Sequence, residues 1–544
     1  MKNLSVVLLP LLLVATSAFA QTTKPIDDPL LQAMKAELDR EQAGLLLPGM
    51  QRPYFIEYRL DDLKTYEAIA NYGALTREEE QHQRIVRVTV RIGSYDSDSS
   101  SSRGDGSLQL APEDNDPSAL RYALWTATDE AYKNALRAYS TKQATLKRFE
   151  QARTEQDFAP AKPVTAIEPI VPLELDRAEW KRRIVEASGL FLAQPTSHID
   201  NSTANVRAIA VNRFLVNTEG TVLRHGYSGY TNAISLGTQA PDGMRLSRDN
   251  GSTAAKASEM ESAASFRKRV LDDLKSLEDL RNAPVVSSED YHGPVLFSGD
   301  AAADVMNRLF VPNIEADRPE LGTTARTQGA YTSSYKSRVL PEILSVTDDP
   351  TKKAFGGKTL LGFYTTDDEG VPAESVDLVL HGKLTNYLIG RTPVRDFATS
   401  NGHGRSAPGQ AAHARSAVLS FKPTQAVPAA EMHTRLLAMA KEQGRDVYEV
   451  ETMAGNDLAP RLLYLVHAKD GSRELVRGAV FDELDNRSLR SDILAAGDDP
   501  YVAQTLGAVP QTTITPSLLF GDIGVKRATE EQQKLPYYPP PPAK

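Results

Sequence analysis

Nine histidines and no cysteine set the limits on metal chemistry in this chain. A zinc peptidase needs two or three imidazole or carboxylate ligands converging on one ion, plus a general base. His82, His198, His225, His292, His381, His403, His413, His433 and His467 include no two spaced three to five residues apart, so no helix presents a histidine pair. Nucleophile patterns are equally incomplete. Gly226-Tyr227-Ser228 opens a G-x-S-x-G signature, but the fifth position is Tyr230 and the stretch has a strand pattern, not a strand-to-helix elbow. Ser333-Ser334-Tyr335-Lys336 fits S-x-x-K without the K-T-G element that should accompany it. "GGKT" (356–359) has Lys352 where a phosphate loop requires glycine. In "DSDSSSSRGDGS" (96–107), Asp96, Asp98 and Ser100 have calcium-loop spacing, yet Ser101 replaces the sixth-position glycine and Ser107 the closing glutamate.

Gly402-His403-Gly404-Arg405 begins like a dinucleotide fingerprint, but Pro408 and Gly409 deny it the helix whose N-terminus would bind pyrophosphate. Two readings stay open. The glycines let backbone come close to other backbone in a turn-rich loop, or the loop binds a ligand or peptide with Arg405 available for a carboxylate.

The elements that must position such groups follow from periodicity and punctuation. An amphipathic helix spans 28–43, with Leu30, Leu31, Met34 and Leu38 on one stripe. Two alternating strands follow, with "GALTREEE" turning between them. A long helix covers about 117–153, and a Pro-rich extended connector covers 158–175. A helix at 176–193 leads to a hairpin turning at Asn217-Thr218-Glu219-Gly220, then a helix at 257–282. "GPVLFSGDAAADVMNRLF" (293–310) is a buried strand running into a helix capped near Ser298. Strands and turns dominate from Gly357 to Phe421, a helix lies near 430–443, and further strands close the chain. The layout is α+β, with a strand-rich C-terminal half beginning near Asp290.

Lys2, an apolar run at Leu4–Val14 and Ala18-Phe19-Ala20 before Gln21 have the form of a cleaved export signal. Without a stop-transfer segment or a following cysteine, the expectation is a periplasmic or secreted protein with no stable membrane anchor; a retained N-terminal anchor is the alternative. The mature chain would carry 61 basic against 71 acidic residues, and no basic run exceeds "KRR" (181–183), which argues against a nucleic-acid partner. Four regions are expected: a signal peptide at 1–20, an α+β region at 21–289, a strand-rich region at 290–530 and a Pro-rich tail at 531–544.

Segment order carries more than any single motif. "TTDDEGVPAESVDLVLHGKLTNYLIGRTPVRDFATSNGHGRS", with "GPVLFSG" before a helix and "TITPSLLFGDIGV" near the end, resembles the TldD/PmbA family of metallopeptidase-related proteins over essentially the whole mature chain. The resemblance implies a two-domain α+β protomer, with a mixed α/β N-terminal domain and a strand-rich antiparallel C-terminal domain. It also implies dimerisation around an internal cavity and action on peptides or unfolded protein. In the family's catalytic branch the helix after this strand carries HExxxH, and a later cysteine completes a zinc site. That pattern falls here on Asn307, Arg308 and Pro312, none of which can serve as ligand or base.

The departure matches the PmbA-like branch, which lacks the motif and partners a zinc-bearing subunit. The expected protein is then a pseudo-peptidase without catalytic, metal or cofactor residues of its own, zinc being confined to a TldD-like partner. A stand-alone peptide-binding homodimer and a peptidase with a relocated metal site are the alternatives.

Overall fold

The computed structural model describes residues 27–529, except 101–103, 105, 148–154, 194–197, 320–324 and 455–457. The export signal, the Pro-rich tail and most of the "RGD" at 103–105 therefore lie outside the described residues.

Helix α1 (Pro29–Gly44) starts where Asp28 accepts the Leu30 and Leu31 amides, satisfying two of the donors a helix N-terminus leaves unpaired. β1 (Pro53–Asn71) and β2 (Ala74–Ile92) form one long antiparallel hairpin. Its turn is only Tyr72-Gly73, both left-handed at φ 51° and 86°, which suits the right-handed twist of the strands. The expected "GALTREEE" turn is thus wrong: Ala74 to Glu80 are strand. Their charges were misread as loop because their partners are distant, Lys181 holding Glu78 and Arg177 holding Glu80.

β3 (Ser107–Ala111) edges the same sheet beside β2. α2 (Pro117–Leu146) is the described part of the long helix expected to about 153, the stretch 148–154 lying outside the described residues. The Pro-rich connector is extended and adds a short strand, β4 (Thr165–Ile167). α3 (Arg177–Gly189) is followed by β5 (Ile199–Asn217), β6 (Val222–Gln239), β7 (Arg245–Ala254) and α4 (Ala263–Asn282). The sheet order is β3-β2-β1-β5-β6-β4, with β7 also on β6. Even-numbered β1 side chains face the helices. Tyr58 and Leu60 pack with α1 and α2, while Tyr66, Ala68 and Ala70 pack with α3 and α4. The odd-numbered face, with Glu57, Arg59 and Asp61, is left for the C-terminal half.

That half holds two large sheets, besides the two-stranded pairings of Ala354–Phe355 with Lys358–Thr359 and of Gly404–Arg405 with His413–Ala414. One orders Lys383–Leu384, Val376–Leu380, Leu344–Asp348, Val418–Pro423, Pro510–Thr515 and Tyr501–Leu506. The other orders Arg473–Val476, Pro460–Val466, Val447–Met453, β8 (Tyr291–Phe297), Leu518–Arg527 and Ala479–Asp482, with Ile493–Ala496 also on Leu518–Arg527. Pairing is antiparallel except where Val418–Pro423 meets Pro510–Thr515 and Val447–Met453 meets β8. α5 (Gly299–Leu309) leaves β8 to join both sheets in one core. Helix Ala429–Gln443 covers the opposite face of β8, where Leu296 points. "KTLLGFYTTDDEG" is mostly not strand: Gly362 lies so close to the Ala417 carbonyl that no side chain fits. Among the described residues no helix is long and apolar enough to cross a membrane.

Candidate functional site

Ser298 caps α5, its hydroxyl accepting the Ala301 amide at 3.2 Å and donating to the Glu451 carbonyl at 2.7 Å. Ala301, Ala302, Val305, Met306 and Phe310 are wholly buried, while Leu309 is partly exposed against the same core. Asn307 Oδ1 accepts from the Thr513 hydroxyl at 2.6 Å. Arg308 Nη2 donates to the Ala454 carbonyl at 3.3 Å. Pro312 opens the short helix Val311–Ile314.

The three motif positions therefore present an amide oxygen already bonded, a permanent cation and a ring with no donor atom. This set does not fit zinc. Among the described residues no cluster of three His, Asp or Glu side chains is arranged to hold a metal elsewhere. The helix does carry two carboxyls the sequence reading passed over. Burial, then the nearby Asp300 charge, pushes Asp304 up to about 6.

Gly402 to Arg405 are brought nowhere near solvent. His403 is fully buried, its Nδ1 3.0 Å from the Asn401 carbonyl oxygen. Arg405 donates to the Pro510 carbonyl at 2.7 Å and stacks over Tyr364. Its guanidinium is committed inside the fold, so the reading of Arg405 as a carboxylate ligand gives way to the backbone-approach reading.

The loop is stitched to the acidic turn. Asp367 accepts the Gly404 amide and Asp368 the Ser406 amide, both at 2.8 Å. The Glu369 carboxylate lies against Gly404, where any Cβ would collide with it. Asp368 and Asp61 of β1 share Arg213 of β5, each at 2.6 Å, and Asp61 accepts the Gly409 amide at 2.7 Å. Burial alone would raise Asp368, but Arg213 and His225 overcome it and hold the carboxyl well below its ordinary value. This buried seam joins the first sheet to the C-terminal half.

Beside the seam lies the main concavity, a cavity of about 1100 Å³ between the odd-numbered face of β1 and β2, α2, and segments near 316–319, 390–392 and 411–414. Its walls are cationic. Arg59 and Arg391 are almost wholly buried, Arg391 lying between Phe55 and Phe158 with its Nη2 2.7 Å from Glu219. Burial lowers Arg59 to about 10, with Arg213 adding to the effect. Glu57 stands among these arginines and is raised by burial. The sequence reading missed this site, although one signal was present. In "RVTVR" (87–91), period-2 alternation puts Arg87, Thr89 and Arg91 on one face and Val88 and Val90 on the other.

Residues 289–527 match the family model of the PmbA/TldA metallopeptidase C-terminal domain. Solved structures share the fold of nearly the whole chain. A Thermotoga maritima protein described as a candidate modulator of a DNA gyrase aligns with TM-score 0.61 at 14% identity, covering 91% of this chain and 99% of its own. TldE from Thermococcus kodakarensis gives 0.60 at 12% identity, covering 91% and 99%. A Bacteroides thetaiotaomicron protein, also described as a candidate gyrase modulator, gives 0.56 at 10%, covering 92% and 98%. No curated protein matches the chain by sequence. The TldD/PmbA resemblance and the mixed helix-and-sheet architecture are thus both found.

Proposed function

We propose that this chain, which carries a PmbA/TldA metallopeptidase C-terminal domain on the TldD/PmbA fold, is an exported, metal-free subunit that holds peptide for a zinc-bearing homologue. One observation carries the reading. β8 and α5 keep the strand–turn–helix scaffold, while the motif positions hold Asn307, Arg308 and Pro312, two of them bonded within the fold. A scaffold kept without ligands can shape a peptide cavity and leave the hydrolysis to a partner. The Ala18-Phe19-Ala20 signal supports action outside the cytoplasm, and Asp290 is taken as the start of the C-terminal region.

The test is purification of the chain from Gln21 onward, alone and together with an HExxxH-bearing relative. Expected are substoichiometric zinc by mass spectrometry, no peptide hydrolysis alone, and co-elution with the relative on gel filtration. A chelator-resistant zinc in every isolated chain would overturn the proposal, and a peptide-retaining homodimer that ignores the relative would favour the stand-alone binding protein.

A further inference from the structure

The cavity beside the seam has a charge opposite to that of the protein. The chain as a whole is acidic at −9, yet among the described residues Arg59, Arg87, Arg91, Arg137, Lys142 and Arg391 line this space against Glu57, Asp317 and Glu369. The carboxylates that balance several of these cations stand behind the wall. Asp61 is 3.6 Å from Arg59, Asp98 2.8 Å from Arg91, and Asp157 2.5 Å from Lys142, and all three acids are buried and absent from the lining. A ligand in the cavity therefore meets the cationic side of each pair, and the acids behind hold those side chains in place before anything binds.

Donor capacity is also left over. Arg137, exposed at the mouth, bonds among the described residues the neutral Asn134 side chain, at 2.6 Å. The planar guanidinium of Arg137 at the rim suits carboxylates, which it can engage two-pronged. Two of the three lining carboxyls, Glu57 and Glu369, are raised by burial, which further lowers the negative charge facing a ligand.

We infer that this cavity selects acidic peptide segments, its arginines taking aspartate and glutamate side chains. The inference rests on the peptide-holding reading above and adds a substrate class to it. Cavity size agrees, since about 1100 Å³ is at or beyond the upper end of the range for small-molecule sites.

The test is fluorescence anisotropy with the full mature chain and four labelled peptides of equal length: glutamate-rich, neutral, lysine-rich, and one with phosphoserine replacing each glutamate. The glutamate peptide is expected to bind about tenfold or more tighter than the neutral one, with the margin shrinking as salt is raised. Arg137→Glu, at the exposed rim, should cut that affinity about three- to tenfold and leave neutral-peptide binding in place. Arg87→Gln, which keeps a donor for the Gly409 carbonyl, should do the same more weakly.

Equal binding of glutamate, neutral and lysine peptides would leave the peptide reading standing and overturn the charge selection. Binding of none would overturn both. A phosphoserine peptide far tighter than the glutamate one would show that the cavity reads phosphate, overturning the carboxylate assignment.

Discussion

Asp368→Ala should cost the protein about 3 kcal/mol at neutral pH, near the low end of the 3–5 kcal/mol expected when one partner of a buried ion pair is removed. Arg213 is 4% exposed and holds Asp61 and Asp368 at 2.6 Å each. With Asp368 gone, the guanidinium keeps Asp61 and the Ser406 carbonyl at 3.3 Å, and the Ser406 amide loses its acceptor. The surviving Asp61 contact is why the low end applies.

The assay is urea unfolding followed by tryptophan fluorescence, chiefly of Trp180 on α3, which is buried against the first sheet, whereas Trp125 on α2 is half exposed. The midpoint should fall with the urea slope unchanged. The pH dependence gives a second handle. A carboxyl held below its unfolded value contributes stability that is fully present above that value and is lost as pH falls through the folded one. The gap between wild type and variant should therefore be constant from neutral pH down to the ordinary carboxylate range and close only below it. A loss under about 1 kcal/mol at pH 7, or a gap independent of pH, would refute the idea that this ion triad clamps the halves together.

Gly404→Ala should destabilise by about 1–3 kcal/mol in the same assay, because its Cβ enters the space of the Glu369 carboxylate, which also accepts the Arg391 amide at 2.6 Å. Asp304→Asn should stabilise the protein. Asp304 is raised to about 6, so its ionised form penalises the folded state above that pH and carries no penalty below the unfolded value near 4. Discounted for partial exposure, a gain on the order of 1 kcal/mol is expected at pH 8 and none at pH 3.5, read by thermal denaturation at both.

Local signals in the sequence translated well into local structure. Each long helix of the first half begins at a side chain that can cap it: Asp28, Asp116, Asp176 and Ser262 all accept a first-turn amide. What failed was long-range. "TREEE" looks like a loop until Arg177 and Lys181 are laid beside it, a hundred residues away. "ELVRGAVFDE" looks like one strand, but Gly478 takes a left-handed φ of 73° and sends the chain to opposite ends of a sheet. Arg405 looks available until Pro510 is placed beneath it. The cationic cavity needs Arg59, Arg137 and Arg391 on one surface, and nothing in their neighbours' types announces that convergence.

Why α5 persists without ligands follows from where its side chains go. Ala301, Ala302, Val305 and Met306 face the core shared by both C-terminal sheets, and Phe310 extends the stripe to Tyr331 and Phe421. Burying a Val, Met or Phe side chain contributes about 1.5–3 kcal/mol each, so truncating this helix would remove much of what joins the two sheets in that core, to which the short helix Val311–Ile314 adds Val311 and Ile314. The positions that would carry chemistry lie at its C-terminal end, where the fold uses them for other work. Asn307 bonds Thr513 on one sheet, and Arg308 bonds Ala454 beyond the end of a strand of the other. Packing alone is enough to hold such a helix in place. Asn307 and Arg308 tie the helix to its surroundings on both sides, so placing a histidine at Asn307 would break the Thr513 bond before it could offer a ligand.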